Sequence, residues 1–172
     1  MTLSTDNYKA AVAERSRIEH ERDHDILTGL YNRQAFNRVC TELFAAPERM
    51  GVAALMMMDL DNLKHINDTY GHTEGDNAIS TVGKALMTSA IQGEVCSRFG
   101  GDEFTVAGVI ADMDDNYFES FRERFREYLR QYNQISRKHY LVESSIGFCF
   151  QKLEDEIDLD QMIKIADDRM YE

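Results

Sequence analysis

No apolar run in this sequence approaches the length of a membrane-spanning helix, and its start lacks the apolar core of a signal peptide. Any membrane attachment is therefore expected to come from sequence outside it. Cysteine is scarce and scattered: Cys40, Cys96 and Cys149 form no C-x-x-C pair. Cys96 and Cys149 fall in apolar, strand-like runs and read as reduced core residues of a cytoplasmic protein, which could be the cytoplasmic part of a membrane-bound sensor. Basic residues are outnumbered, 19 Lys and Arg against 31 Asp and Glu, for a net charge of −12. That balance argues against a general nucleic-acid partner or an anionic membrane surface. It leaves room for one polyphosphate ligand, because a divalent cation neutralises carboxylates and phosphates together. There is no Walker motif, no EF-hand loop, no internal repeat and no low-complexity segment.

What is present suits one domain with a modest extension: 172 residues, 43% hydrophobic and 29% charged. Residues 5 to about 26 contain neither proline nor glycine and read as a helix. Tyr8, Ala11 or Val12, Ile18 and Ile26 recur near heptad spacing, but Arg15 and Arg22 interrupt the seam. Two readings stay open, a solvated helix on the domain's flank and a short two-stranded coiled coil that carries signals. Residues 1–24 are accordingly set apart as a signalling or linker helix, and 25–172 as the main domain. Asp25 and Arg33 are expected to pair at the junction between them.

The domain opens with a turn at Thr28-Gly29. Asn32 then caps a helix to Leu43 whose face is Ala35, Phe36, Val39, Cys40 and Leu43. Pro47 and Gly51 punctuate the chain before Val52–Met58, which is short and apolar enough to be a strand buried on both faces. A short helix, capped by Asp61 or Asn62, reaches Tyr70 and stops at Gly71, and a second covers Thr73–Ala90. Strands at Val95–Phe99 and Phe104–Ile110 flank Gly100-Gly101. A long amphipathic helix, Asp114 to about Ser136, carries Phe118, Phe121, Phe125, Tyr128, Leu129 and Tyr132. A strand at Tyr140–Phe150 and a helix at Leu159–Tyr171 close the chain. The order β-α-α-β-β-α-β-α predicts an α+β fold. Its sheet is mixed and mostly antiparallel, with helices on its faces around a palm-like, ferredoxin-type core.

That topology has a chemical consequence. The Gly100-Gly101 corner reads as a tight hairpin turn, with glycine supplying positive φ, and it leads into Asp102 and Glu103. In a split βαβ arrangement the end of the first strand lies beside the central hairpin, so Asp59 comes close to Asp102. Carboxylates gathered at one edge repel each other unless a cation sits among them, and hard oxygen ligands suit Mg²⁺ or Mn²⁺. The helix that follows Asp59 turns its free N–H groups toward the same edge, which favours phosphate, and Lys64 lies in its first turn. Asp61 reads as helix capping or solvation, and His65 and His72 as surface or turn residues.

These residues resemble a known family. Gly100-Gly101-Asp102-Glu103-Phe104 spells the motif that names the GGDEF domains, the diguanylate cyclases. Asp25-x-Leu-Thr-Gly-Leu-x-Asn-Arg33 is similar to the family's first motif. Asp59-x-Asp-x-Leu-Lys-x-Ile-Asn-Asp68 with Tyr70-Gly-His-x-x-Gly-Asp76 resembles its nucleotide-binding segment, and Ser145-Ile-Gly147 and Ala166-Asp-x-x-Met-Tyr171 also fit. The resemblance covers residues 25 to 172. It implies that Asp59, the Leu60 carbonyl and Asp102 hold the metal, two Mg²⁺ or Mn²⁺ ions per half-site, on a GTP triphosphate. It implies catalytic roles for Asp59, Asp102 and Glu103, with Glu103 supporting the site and helping to deprotonate the 3′-hydroxyl. Gly100 and Gly101 would lie against the nucleotide, Asn67 and Asp76 would recognise guanine, and Leu63 and Lys64 would touch phosphate. Two domains would face each other as a homodimer to make cyclic di-GMP, with a sensor domain N-terminal in the full-length protein. The alternative is a domain that binds GTP without turnover and regulates a partner.

Three departures bear on function. Many members carry an inhibitory product site, Arg-x-x-Asp, where this chain has Ile91 and Glu94, so that site is expected to be absent. Members follow the final tyrosine with basic residues that hold the triphosphate, where this chain has Glu172; a basic segment is expected to be missing. Leu63 stands where the family often has phenylalanine.

Overall fold

The computed structural model describes residues 2–45 and 50–171. Pro47 lies outside them. The chain forms helix α1 (Thr2–Asp23), α2 (Arg33–Phe44), strand β1 (Val52–Leu60), α3 (Leu63–Tyr70), α4 (His72–Ser89), β2 (Val95–Arg98), β3 (Glu103–Ile110), α5 (Asp115–Ser136), β4 (Ser144–Lys152) and α6 (Leu159–Asp168). A 3-10 turn, Arg169–Tyr171, follows α6. The strands make one sheet, ordered β2-β3-β1-β4, in which each neighbouring pair is antiparallel. The expected element order holds, and so does the α+β class.

β1 is the axis of the domain. Its residues Val52 to Met58 are buried, because helices cover both faces of the sheet. The pleat sends alternate side chains to opposite sides. Met56 and Met58 join Phe104 and Val106 beneath α4 and α5, with Phe118, Phe121 and Phe125. Ala53, Leu55 and Met57 join Phe36, Cys40, Cys149 and Met162 beneath α2 and α6. A side chain such as Phe121, fully buried, contributes about 2–3 kcal/mol by leaving water. The three methionines of β1 fill the core on both faces of the sheet.

Local signals decide most boundaries. The Asn32 side chain accepts from the Ala35 N–H and caps α2; Asp114 and Asp158 cap α5 and α6 in the same way. Asn62 behaves differently: it sits in the left-handed region at φ 59° and makes no side-chain cap. The first helix ends at Asp23, earlier than composition indicated, where the chain turns into the His24–Tyr31 bridge. β4 starts at Ser144, because Tyr140 turns away to donate its hydroxyl to Glu74, and Val142 is held by Asn133. All three cysteines are free thiols, Cys40 and Cys149 buried and Cys96 half-buried. Gly147 is where α6 presses closest: a Cβ there would stand 1.9 Å from the Ala166 carbonyl oxygen.

α1 stands apart from this packing. Tyr8, Val12 and Ile18 are exposed, and its polar surface is laced by pairs between Arg15 and Glu19, Arg17 and Glu14, and Arg17 and Glu21. Exposed pairs of this spacing each contribute only a few tenths of a kcal/mol. Among the described residues, no helix is long and apolar enough to cross a membrane.

Candidate active site

β1 carries Asp59 to one end of the sheet, and the antiparallel register with β3 sets it directly opposite Glu103. The ladder does not stop there: the Leu60 N–H donates to the Asp102 carbonyl at 2.8 Å. The far-apart acids of the sequence therefore meet, as split βαβ topology requires. The Asp59 carboxyl is raised to about 6. Burial is the first cause, the negative charge of Asp102 the next, and Glu103 and Asp61 add to it. Asp59 Oδ1 is buried and has no hydrogen-bond partner. A neighbouring strand reinforces the end of β1, since Ser144 Oγ donates to the Asp59 carbonyl at 2.9 Å.

The Gly100-Gly101 corner differs from the expected turn. Neither glycine has positive φ, so left-handed backbone is not what these positions require. At Gly100 the requirement is space: a Cβ would stand 2.6 Å from Glu103 Oε2, so the carboxylate folds back over the corner. At Gly101 nothing lies within 4 Å of that position, which leaves the backbone open to a ligand.

The acids also sort themselves. Asp61 accepts from Ser145 Oγ at 2.8 Å and does not cap α3. α3 thus starts with no side-chain cap, and its first N–H groups, at Leu63 and Lys64, are free of one. The Lys64 ammonium is exposed and paired with Asp68 at 2.7 Å, one turn along α3. Asn67 Oδ1 lies 1.8 Å from where a Cβ on Gly75 would be. That contact sets Asn67 against the residue before Asp76, which is exposed at the start of α4. His65 and His72 are surface residues.

Among the described residues, no group of three or more His, Cys, Asp or Glu side chains is arranged to hold a metal. The expected set needs fewer: two carboxylates, Asp59 and Asp102, and the Leu60 carbonyl. A buried, unpartnered carboxylate oxygen with a second acid beside it is what a hard divalent cation would satisfy, so these residues fit such an ion. A large cavity lies elsewhere, between α5 and the open edge of β4, lined by Arg126, Leu129, Ile146, Phe148 and Arg169. It reaches this end of the sheet at Asp61, Ser144 and Ser145, and its lining includes none of Asp59, Asp102 and Glu103.

Two contacts escaped sequence reasoning. Asp25 pairs with Arg98, not Arg33: Arg98 Nη1 reaches Asp25 Oδ1 at 3.0 Å, while the Arg33 guanidinium lies over the Phe99 ring at 4.6 Å. The reason is the bridge between Tyr31 and Ser97, which lays the first turn of the domain against β2 and leaves Arg33 on α2 facing the hairpin. Ser144 was the other; its only signal was its place next to Ser145 in the closing strand motif.

An antiparallel palm-like sheet with carboxylates meeting at the end of its central strand defines a class of scaffold. The motifs on it define the family. The family model for the diguanylate cyclase GGDEF domain matches residues 22–172, and the chain belongs to that family. It is 35% identical over 150 residues to the diguanylate cyclase DgcP of Escherichia coli, a match over 86% of this chain and 43% of that protein. It is 29% identical over 173 residues to the diguanylate cyclase VdcA of Vibrio cholerae, covering 99% of this chain and 49% of that one. The chain thus spans about half or less of the curated relatives it matches. The crystal structure of the coiled coil and GGDEF domain of DgcB from Caulobacter crescentus superposes with a TM-score of 0.82 at 23% identity, over 98% of this chain and 88% of that one. At that identity the likeness speaks for the fold, including a helix ahead of the domain.

Proposed function

We propose that this domain is a diguanylate cyclase, which condenses two GTP molecules into cyclic di-GMP and two pyrophosphates where two copies face each other. The observation that carries this reading is the meeting of Asp59 with Asp102 and Glu103 at one sheet edge, with a buried Asp59 oxygen left unpartnered. Asp59, Asp102 and the Leu60 carbonyl would hold Mg²⁺ or Mn²⁺, two ions per half-site. An ion bound there would supply positive charge to offset the triphosphate and the attacking and leaving oxygens.

The chain's own residues supply the rest. The uncapped start of α3, with the Leu63 and Lys64 N–H groups, binds phosphate oxygens, and Lys64 exchanges Asp68 for phosphate when nucleotide arrives. Asn67 and Asp76 read guanine; a carboxylate facing the N1–H and exocyclic amine leaves adenine without a matching donor pair. Gly101 admits the nucleotide against its backbone, and Gly100 makes room for Glu103. Glu103 accepts the 3′-hydroxyl proton. Each 3′-oxygen then bonds to the α-phosphorus of the opposing GTP, the bond from that phosphorus to the bridging oxygen breaks, and pyrophosphate leaves. Alignment of two substrates does most of the work, so the homodimer belongs to the mechanism. In the longer protein, residues 1–24 link a sensor domain to the domain that starts at residue 25.

Incubation with GTP and Mg²⁺, followed by chromatography of the products, tests the reading, with Asp102→Ala and Glu103→Ala as controls. Cyclic di-GMP from the wild type alone supports it. GTP retained but unconverted at high protein concentration overturns it in favour of a nucleotide-binding regulator.

A further inference from the structure

The corner that carries Asp102 has no side chain at Gly100 and Gly101, so contacts to its backbone carry much of its order. Three sets exist. The Phe99 and Gly100 N–H groups donate to the Glu103 carbonyl, at 2.7 and 3.3 Å, and the Leu60 N–H donates to the Asp102 carbonyl. The third is Arg98. Its Nε reaches the carbonyls of Gly100 and Gly101, each at 3.2 Å, and its Nη2 reaches that of Gly101 at 2.8 Å. Its remaining arm, Nη1, reaches Asp25 Oδ1 at 3.0 Å, and both side chains are mostly shielded from water, 16% and 20% exposed. A guanidinium is a rigid fork of donors, so its two ends cannot move independently.

Asp25 in turn is fixed to the foot of α1. Its Oδ2 accepts from the Thr28 N–H and Oγ1 at 2.8 and 2.7 Å, and its own N–H donates to the Leu30 carbonyl. Just before it, the Asp23 carbonyl accepts from the Asn32 N–H and the Arg22 carbonyl from Asn32 Nδ2. The end of α1 is thus stitched to the same short turn that presents Asp25.

We propose that Arg98 is a positioning residue, a clamp from Asp25 at the foot of α1 to the Gly100 and Gly101 carbonyls that sets the pose of Asp102. A twist or lift of α1 moves Asp25, the fork follows, and the corner loses or gains its order. The clamp's effect on rate rests on the diguanylate cyclase reading; its effect on the corner does not. A plain structural ion pair would need only the Asp25 arm, and this difference is testable.

Deuterium uptake at residues 99–103 reads the corner directly, and the kcat and KM for GTP read its consequence. Arg98→Lys and Asp25→Asn should each speed uptake there about tenfold, leaving β1 and α2 unchanged. They should lower kcat about tenfold or more while the GTP KM stays within about twofold, because guanine is read on α3 and α4. Arg38→Ala, which breaks the Asp23–Arg38 pair at 2.7 Å on the same junction without touching the corner, should do neither. The exchange of charges, Asp25→Arg with Arg98→Asp, restores an ion pair but no donor to the carbonyls, and should rescue nothing. The proposal is overturned if the single variants leave uptake at 99–103 unchanged or raise it throughout β2 and β3 alike. Rescue by the exchanged pair, or an Arg38→Ala effect equal to that of Arg98→Lys, overturns it too. If the wild type makes no cyclic di-GMP, the proposed function fails, and uptake still decides the clamp.

Discussion

Leu60 and Asp102 share a backbone hydrogen bond of 2.8 Å that extends the β1–β3 ladder past the last paired strand residues. It fixes the tip of the central strand against the glycine corner and holds two acids together that would otherwise separate. The cost of that enforced proximity falls on Asp59.

The Asp59 carboxyl is raised to about 6 from its ordinary 3.8. For an acid raised by folding, the native state binds the extra proton, so stability falls as pH rises from about 4 to 6. The penalty is absent below the unfolded value and fully present above 6. Asp59→Asn should therefore stabilise the metal-free protein at pH 7–8, by about 1 kcal/mol once solvent screening is allowed for, and have no stabilising effect near pH 4. Thermal melts in chelator across that range check the sign. Adding Mg²⁺ at pH 8 should raise the wild-type Tm and leave that of the variant unchanged.

Glycines at the site divide by what surrounds them. At Gly147 an added Cβ meets helix backbone, the Ala166 carbonyl at 1.9 Å and the Met170 N–H nitrogen at 2.6 Å. Gly147→Ala should cost about 3 kcal/mol or more, because α6 must lift off the sheet. At Gly100 the neighbour is the end of the flexible Glu103 side chain. Gly100→Ala should shift stability by less than about 1 kcal/mol and yet slow turnover at least about tenfold, by displacing Glu103. Urea melts and product formation, measured side by side, separate the two.

Gly75 offers a specificity test. The Asn67 amide occupies the space where a Cβ would stand. Gly75→Ala should push Asn67 off its seat and raise the KM for GTP about tenfold with little change in kcat. Asp76→Ala should narrow the preference for GTP over ATP, measured as the ratio of kcat/KM.

The position where family members keep an inhibitory aspartate holds Glu94, and both of its oxygens are engaged internally. Oε2 accepts from the Ile91 N–H at 2.7 Å and Oε1 from the Tyr117 hydroxyl. Burial and this carboxylate together push the Tyr117 hydroxyl well up. Turnover should therefore be unaffected by added cyclic di-GMP at concentrations of about ten times the amount of enzyme. A progress curve that slows as product accumulates, and recovers with a phosphodiesterase, contradicts this.

Much of this was legible in the chain because the informative signals are local. The unbroken apolar run Val52–Met58, the Asn32 cap and Gly71 after Tyr70 give the elements, and the strand order brings Asp59 to Asp102. What the sequence concealed depends on which element lies beside which. Asp25 had two arginines to choose from, and only the Tyr31–Ser97 bridge selects Arg98. The Gly100-Gly101 pair suggested unusual backbone, whereas the folded chain uses the absence of a side chain to seat Glu103. Asn62 adopts left-handed backbone rather than capping α3, a choice that no local pattern distinguished.

β1 is gripped from both sides by separate apolar clusters, and the acid at its tip inherits their rigidity. A void opened under either layer, at Phe121 on one side or Phe36 on the other, reaches Asp59 through a strand with nowhere to yield. Damage to the interior should thus announce itself as misaligned chemistry while the molecule still melts as a single cooperative unit.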